Sequence, residues 1–367
     1  MTARASRSTA QGAIVNAQPL QLLSPAGHLD EQAAEGLVKV TPELVRGLYR
    51  DMAVGRRVDR EAYMLQRQGE LGLWLMSLGQ EAAQAGSIRA IRETDYVFPT
   101  YREHVAALCR GITPGELLSQ WRGTTHAGWD PSRYRFHICS VVLATQLLHA
   151  VGYAMAVRAE GADELVMAYL GDGASSQGDA SEALNWAAVT GAPVMFFCQN
   201  NQWAISTPAS LQMNVPLHRR AAGFGLEATQ VDGNDVLAVY GITRRMADIV
   251  RNEGRPAFIE AVTYRMSGHS TSDDPRRYRD GAELESWEDQ DPVTRVRLLL
   301  GQRAWADDAF FKAVEKEADE MAARTREACL ALQPAPLADT FRNTLTAETH
   351  SLREEREALE SYLESFA

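Results

Sequence analysis

Only four cysteines occur in 367 residues, at positions 109, 139, 198 and 329, and none stands at a disulfide-framework or zinc-ligand spacing. That excludes a cystine scaffold and a zinc centre, and leaves reduced thiols. No Gly-Lys-Ser/Thr occurs, so there is no P-loop. No basic run is interleaved with aromatics, and a formal net charge of −11 opposes a nucleic-acid-binding surface. Long hydrophobic runs are missing too. The most apolar stretch, Val141 to Val157, is broken by Thr145, Gln146 and His149, and reads as a buried helix rather than a membrane span. Acids are missing from the first 29 residues, a composition shared by mitochondrial transit peptides and by disordered bacterial leaders. The bacterial leader is the expectation, with a cytoplasmic location; for a eukaryotic source it would be the mitochondrial matrix.

What is present is a globular interior, 45% hydrophobic, in a chain long for one core. Thr41-Pro42-Glu43 starts a helix, with threonine at the cap and proline at the first turn. Gly79-Gln80-Glu81-Ala82 opens a second, and Tyr96–Phe98 is a short strand. Residues 122–138 form a loop rich in turn formers and cations. From Ala144 to Arg158 small residues recur, which suits close helix packing in a crowded core or at a subunit contact. Strand and helix signals then alternate through 228–231, 236–250 and 258–264, the pattern of an α/β fold with a mainly parallel sheet flanked by helices. Residues 284–330 read as helical, and 350–367 carry one apolar stripe (Leu352, Leu359, Leu363, Phe366). The expected division is an N-terminal arm (1–40), an α/β domain (41–300) and a C-terminal helical extension (301–367).

The most informative stretch runs from Leu165 to Ser206. An apolar strand ends in Gly171-Asp172-Gly173, a helix follows, and a second apolar strand ends in Asn200-Asn201. Paired glycines after a strand let backbone N–H groups approach a phosphate. Here, however, a carboxylate sits between them, which would repel a bare diphosphate. A divalent cation between the two resolves the conflict. In a parallel sheet both strand ends face the same crevice, so Asp172 and Asn201 become neighbours and can share the ion, with a carbonyl just past Asn201, such as that of Trp203, as a third oxygen. The dinucleotide fingerprint would need a third glycine where Ser176 stands, and is excluded.

These residues carry a family resemblance. With GDG and NN come GQEA at 79–82, FPTYRE at 98–103, LATQ at 143–146, NNQWAISTP at 200–208, VDGNDVLAVY at 231–240 and EAVTYRMSGHSTSDDPRRYR at 260–279. The chain resembles the alpha subunits of the thiamine-diphosphate-dependent, decarboxylating component of 2-oxoacid dehydrogenase complexes, the branched-chain members most of all, over roughly residues 40 to 300. The resemblance implies the thiamine-diphosphate-binding fold, with thiamine diphosphate and magnesium as cofactors. It implies that Tyr101 and Arg102 hold the diphosphate, with Val141, Gly171, Gly173 and Ala174 beside the cofactor and Leu143 wedged against it. Asp172, Asn201 and the Trp203 carbonyl would bind magnesium. Ser140, Val142, Thr145 and Gln146 match a potassium site of some relatives. Gln199 occupies a cofactor-side position where branched-chain relatives often have arginine, and Val142 replaces a frequent proline. His269 matches the family's active-site histidine, and His126 resembles a second one.

By the same resemblance, the glutamate that activates the cofactor's aminopyrimidine belongs to a separate beta subunit. The expected unit is therefore an α2β2 heterotetramer, working with a lipoyl-bearing acyltransferase core and dihydrolipoyl dehydrogenase, and touching neither nucleic acid nor membrane. The activity implied is oxidative decarboxylation of branched-chain 2-oxoacids with acyl transfer to lipoyl groups. Pyruvate (or acetoin) dehydrogenase is the same-class alternative, and a non-catalytic regulatory paralogue the alternative from another class. Ser270 matches a serine that is phosphorylated in mitochondrial relatives, where added charge would oppose cofactor binding.

Overall fold

The structure, a computed structural model, describes residues 18–342 and 345–366; residues 1–17 of the expected arm lie outside it. Residues 18–40 lie on the main body. Leu22 and Leu23 are buried, and both of their N–H groups donate to Asp235 Oδ2 at 2.6 Å. After a short helix α1 (Glu31–Ala34) comes α2 (Pro42–Arg67), whose cap Thr41 accepts from the Leu44 N–H as the sequence predicts. Helix α3 (Glu81–Ala90) and strand β1 (Tyr96–Phe98) also stand where expected. Helices α4 (His104–Cys109) and α5 (Pro114–Arg122) follow, the latter closed by a Thr113/Glu116 capping box. The segment 122–138 is mostly loop, interrupted by one turn of helix, α6 (Pro131–Tyr134), which Asp130 caps.

Next comes α7 (Thr145–Glu160), and then the stretch that dominates the sequence: β2 (Val166–Gly171), a 3₁₀ turn at Asp172–Ser176, α8 (Gly178–Thr190) and β3 (Val194–Asn200). A two-stranded ribbon, β4 (Trp203–Ala204) with β5 (Thr207–Pro208), leads through α9 (Ala209–Gln212) and α10 (Leu217–Gly223) to β6 (Glu227–Asp232), α11 (Val236–Glu253) and β7 (Ala257–Val262).

The five long strands form one parallel sheet in the order β1-β2-β3-β7-β6. Alternate residues point to opposite faces. Met167, Tyr169, Met195, Phe197 and Ile259 pack with α2, α3 and α11 in one core, while Val166, Ala168, Leu170, Phe196 and Phe258 pack with α7, α8 and α10 in the other. A parallel sheet covered on both faces accounts for the uninterrupted apolar strands. On α7, Ala150 and Ala154 are buried in the second core, but Val141, Val142 and Leu143 before it are exposed. The apolar stretch beginning at Val141 is thus buried only from Ala144 onward, because its first three residues form a surface loop.

The predicted helical run 284–330 is three helices. They are α12 (Gly281–Glu288), α13 (Pro292–Gln302) and α14 (Asp308–Ala331), restarted by the caps Asp291 and Asp307. Helix α14 lies along α2, joined by Arg57–Asp319, Arg50–Glu317 and Arg326–Glu61 pairs. Helices α15 (Leu337–Arg342) and α16 (His350–Glu364) end the chain, and α16 buries no residue. All four cysteines are free thiols. Among the described residues no helix is long and apolar enough to cross a membrane.

Candidate cofactor site

Because the sheet is parallel, the loops leaving β1, β2, β3 and β7 emerge along one edge, where ligands bind in this class of sheet. They enclose a cavity of about 370 Å³. From β1 come Tyr101 and Arg102, from β2 Asp172 to Ala174, from β3 Gln199, Asn201 and Trp203, and from the segment after β7 Arg265 and His269.

Asp172 is 1% exposed. Its Oδ1 accepts from the Asn201 N–H at 3.3 Å and its Oδ2 from Gln212 Nε2 at 3.2 Å. Burial is the main cause that raises its pKa to about 6, with no basic side chain paired to it. Asn201 turns Nδ2 toward Gln80 Oε1 (3.2 Å), and its Oδ1 accepts from the Trp203 N–H (3.3 Å). The Trp203 carbonyl lies 3.1 Å from Arg265 Nη1. A buried carboxylate without a cation, an amide oxygen and a carbonyl form an all-oxygen donor set, which fits a hard divalent ion completed by phosphate oxygens. Among the described residues no group of three or more His, Cys, Asp or Glu side chains is placed to hold a metal by itself. Neutral oxygens and ligand would have to complete the shell. Gly173 is needed as glycine: a Cβ there would lie 2.8 Å from Ala204 Cβ.

The same wall also poses the opposite electrostatic problem. Arg102 and Arg265 are both buried. Arg102 donates to the carbonyls of Met76 (2.5 Å) and His269 (3.0 Å), while Arg265 donates to Trp203 O, Ile205 O and Tyr278 OH. Neither meets a carboxylate in an ion pair among the described residues, and burial lowers both pKa values, that of Arg265 to about 10. Two buried guanidinium charges without an ion-pair partner make a site for a multiply charged anion.

His269 sits between them, with Nδ1 3.4 Å from a nitrogen of each. Burial first, then the two arginines, lower its pKa to about 4. The imidazole is therefore neutral at physiological pH, and two N–H donors facing Nδ1 place its proton on Nε2.

Residues 49–335 match the family described as dehydrogenase E1 component. The chain belongs to this family. Its enzymes depend on thiamine diphosphate, whose diphosphate is an anion of the kind the arginines call for. The chain is 41% identical over 351 residues to the 3-methyl-2-oxobutanoate dehydrogenase subunit alpha of Mycobacterium tuberculosis, covering 95% of each. It is 35% identical over 339 residues to the mitochondrial 2-oxoisovalerate dehydrogenase subunit alpha of Mus musculus, covering 88% of this chain and 76% of that one. The Bos taurus protein of the same name is 36% identical over 336 residues, covering 88% and 74%.

In this E1 component Tyr101, Arg102, Ser140, Val141, Leu143, Gln146, Gly171, Asp172, Gly173, Ala174, Gln199, Asn201, Trp203 and His269 all line the one cavity. Val142 and Thr145 lie outside it. The Val142 carbonyl accepts from Thr145 N and Ser140 Oγ at 3.4 Å each, and Gln146 Nε2 donates to Tyr169 O at 2.8 Å. Gln199 spends its amide on Glu103 Oε1 (2.5 Å) and Gln84 Nε2 (3.3 Å). His126 stands in the exposed loop after α5, away from the cavity. Ser270 is buried and lines the cofactor cavity, as well as a larger groove beside α2.

Sequence reasoning assigned no role to Gln80, Glu103, Arg265, Leu73 or Leu75, which share the wall. Arg265 carried a signal: a cation directly after an apolar strand, four residues before His269. Glu103 carried none. Its carboxylate accepts from Thr100 N and Oγ1 (2.6 Å each) and from Gln199.

Proposed function

We propose that this chain is the alpha subunit of a branched-chain 2-oxoacid dehydrogenase, the E1 component that decarboxylates 3-methyl-2-oxobutanoate and its homologues and passes the acyl group to lipoyl groups. The observation that carries the reading is one cavity wall that holds two buried guanidiniums without an ion-pair partner and a buried carboxylate without one: the first ask for a diphosphate and the second for a divalent cation. The substrate class rests on the relatives' names together with the apolar wall of Leu73, Leu75, Leu143 and Ile205.

Thiamine diphosphate, when bound, supplies the nucleophilic carbon and the electron sink for loss of carbon dioxide. The chain's own residues do the rest of what is proposed here. Arg102 and Arg265 neutralise the diphosphate, and Asp172, Asn201 Oδ1 and the Trp203 carbonyl would hold magnesium. His269 keeps its ring neutral and offers the Nε2–H as a donor to an anionic oxygen in the cavity. Leu73 and Leu75 exclude water from that end, which strengthens each of these interactions. The partners proposed are a beta subunit in an α2β2 heterotetramer, a lipoyl-bearing acyltransferase core and dihydrolipoyl dehydrogenase, in the cytoplasm. The chain divides into an N-terminal arm to residue 40, a cofactor-binding α/β domain to residue 300 and a C-terminal helical extension.

The test is 2-oxoacid-dependent dye reduction by the chain assembled with its beta subunit. One or two extra methyl groups in an apolar pocket are worth roughly tenfold or more, so kcat/KM for 3-methyl-2-oxobutanoate should exceed that for pyruvate by about that factor. A preference for pyruvate overturns the substrate class.

A further inference from the structure

Gln80 stands at the head of α3 and is completely buried, yet its side chain does not cap the helix. Its Oε1 accepts from Asn201 Nδ2 at 3.2 Å, while its Nε2 is buried with no partner among the described residues. The orientations are coupled. The Trp203 N–H fixes Asn201 Oδ1 toward itself, which turns Nδ2 to Gln80 and obliges Gln80 to present oxygen. Turning either amide over would set two N–H groups against each other.

The turn that carries Gln80 is held rigidly. The Gln80 N–H donates to Ser77 O at 2.9 Å, the Gly79 N–H to Glu81 Oε2 at 3.0 Å, and Thr263 Oγ1 to Gly79 O at 2.8 Å. Glu81 is itself paired with Arg56 at 2.7 Å. An amide is therefore locked in place with one end unsatisfied, a cost that the fold does not recover in the chain alone.

Resting on the magnesium–diphosphate reading above, we propose that Gln80 is a positioning residue for the cation site: its Oε1 holds the Asn201 amide so that Oδ1 is presented to the ion. Partners in the layer behind a ligand commonly set metal affinity by about tenfold to a hundredfold.

The experiment is calorimetric titration of magnesium into the assembled α/β protein at saturating thiamine diphosphate, with the melting temperature of the ligand-free protein measured alongside. Gln80→Met fills the same space without an acceptor. It should weaken magnesium binding about tenfold while leaving the ligand-free melting temperature close to the parent's, since the unpartnered Gln80 Nε2 goes as Asn201 Nδ2 loses its acceptor. Gln80→Glu keeps an acceptor for Asn201 Nδ2 and adds no loss of its own, so it should bind magnesium at least as tightly as the parent protein. A merely structural residue would show the reverse, a lower melting temperature with unchanged affinity. Parent-like affinity in Gln80→Met overturns the proposal, and so does an equal loss in both variants. Absence of magnesium-dependent binding in the parent protein overturns the cofactor reading itself, a result distinguishable from either.

Discussion

Asp59 shows how much a single buried acid can govern. It lies on α2 at 4% exposure and accepts from Trp74 Nε1 (2.9 Å) and from the Ser77 N–H (3.1 Å). Burial outweighs these bonds and raises its pKa from 3.8 to about 7. A raised acid favours the folded state when protonated. Its contribution is complete below about pH 4 and is lost as the pH climbs through about 7. Asp59→Asn keeps an acceptor and cannot ionise. The melting temperature of the cofactor-free variant, relative to the parent, should therefore rise steadily between those limits in scanning fluorimetry. His104, stacked on Trp74 and lowered to about 3 by burial, acts in the opposite direction; it is common to both proteins and cancels in the difference. A difference that is flat with pH would contradict the assignment.

At the same scale, Asp172 and Asn201 stand out by local chemistry, Arg102 and His269 by the family resemblance, and all four line the one cavity. Neither route singles out Gln80 or Glu103. Gln80 meets its partner 121 positions away and Glu103 meets Gln199 across 96. Only folding tells which amide will be left facing which.

At the scale of elements, local chemistry was read well where a cap and an apolar period agreed. Thr41-Pro42 at the head of α2 is the case in point. Asp291-Pro292 carries the same cap signal as Thr41-Pro42, but the apolar period runs on past it, so periodicity alone merges three helices into one.

The turn before α3 offers a test of what such a junction is worth. Gly79 has φ +95°, and a Cβ there would lie 2.3 Å from the Tyr264 carbonyl and 2.9 Å from Met266 Cγ. Gly79→Ala must both strain its own backbone and push the segment after β7 away, at a cost of about 3 kcal/mol. Gly36 has φ +81° but nothing within 4 Å of its would-be Cβ, so Gly36→Ala should cost only the backbone term, about 1 kcal/mol. Urea unfolding with an unchanged m-value should separate the two variants; equal midpoints would show that the close approach to Tyr264 carries no weight.

At the scale of the whole molecule, the cavity bears on the proposed pairing with a beta subunit. Among the described residues its wall holds two carboxylates, Asp172 and Glu103. Asp172 lies beside Asn201 at the cation end, and Glu103 is committed to Thr100 and Gln199. Both are engaged within the chain, which supports the proposal that a beta subunit supplies the carboxylate for the far end of a bound cofactor. The mouth is correspondingly apolar: Val141, Val142 and Leu143 are 55%, 69% and 41% exposed, beside Ile205 at 55%. Large aliphatic groups clustered at a pocket entrance mark a surface made to be covered.

The chain alone should thus show no dye reduction with any 2-oxoacid, and gain it on addition of a beta subunit. Val142→Asp places a charge in the centre of the rim without touching either core, so the isolated chain should melt as the parent does. Its assembly with the beta subunit should weaken by about tenfold or more, read by sedimentation, with activity recovered at high subunit concentration. Parent-like assembly of Val142→Asp would show that this rim is not where the second half of the site docks.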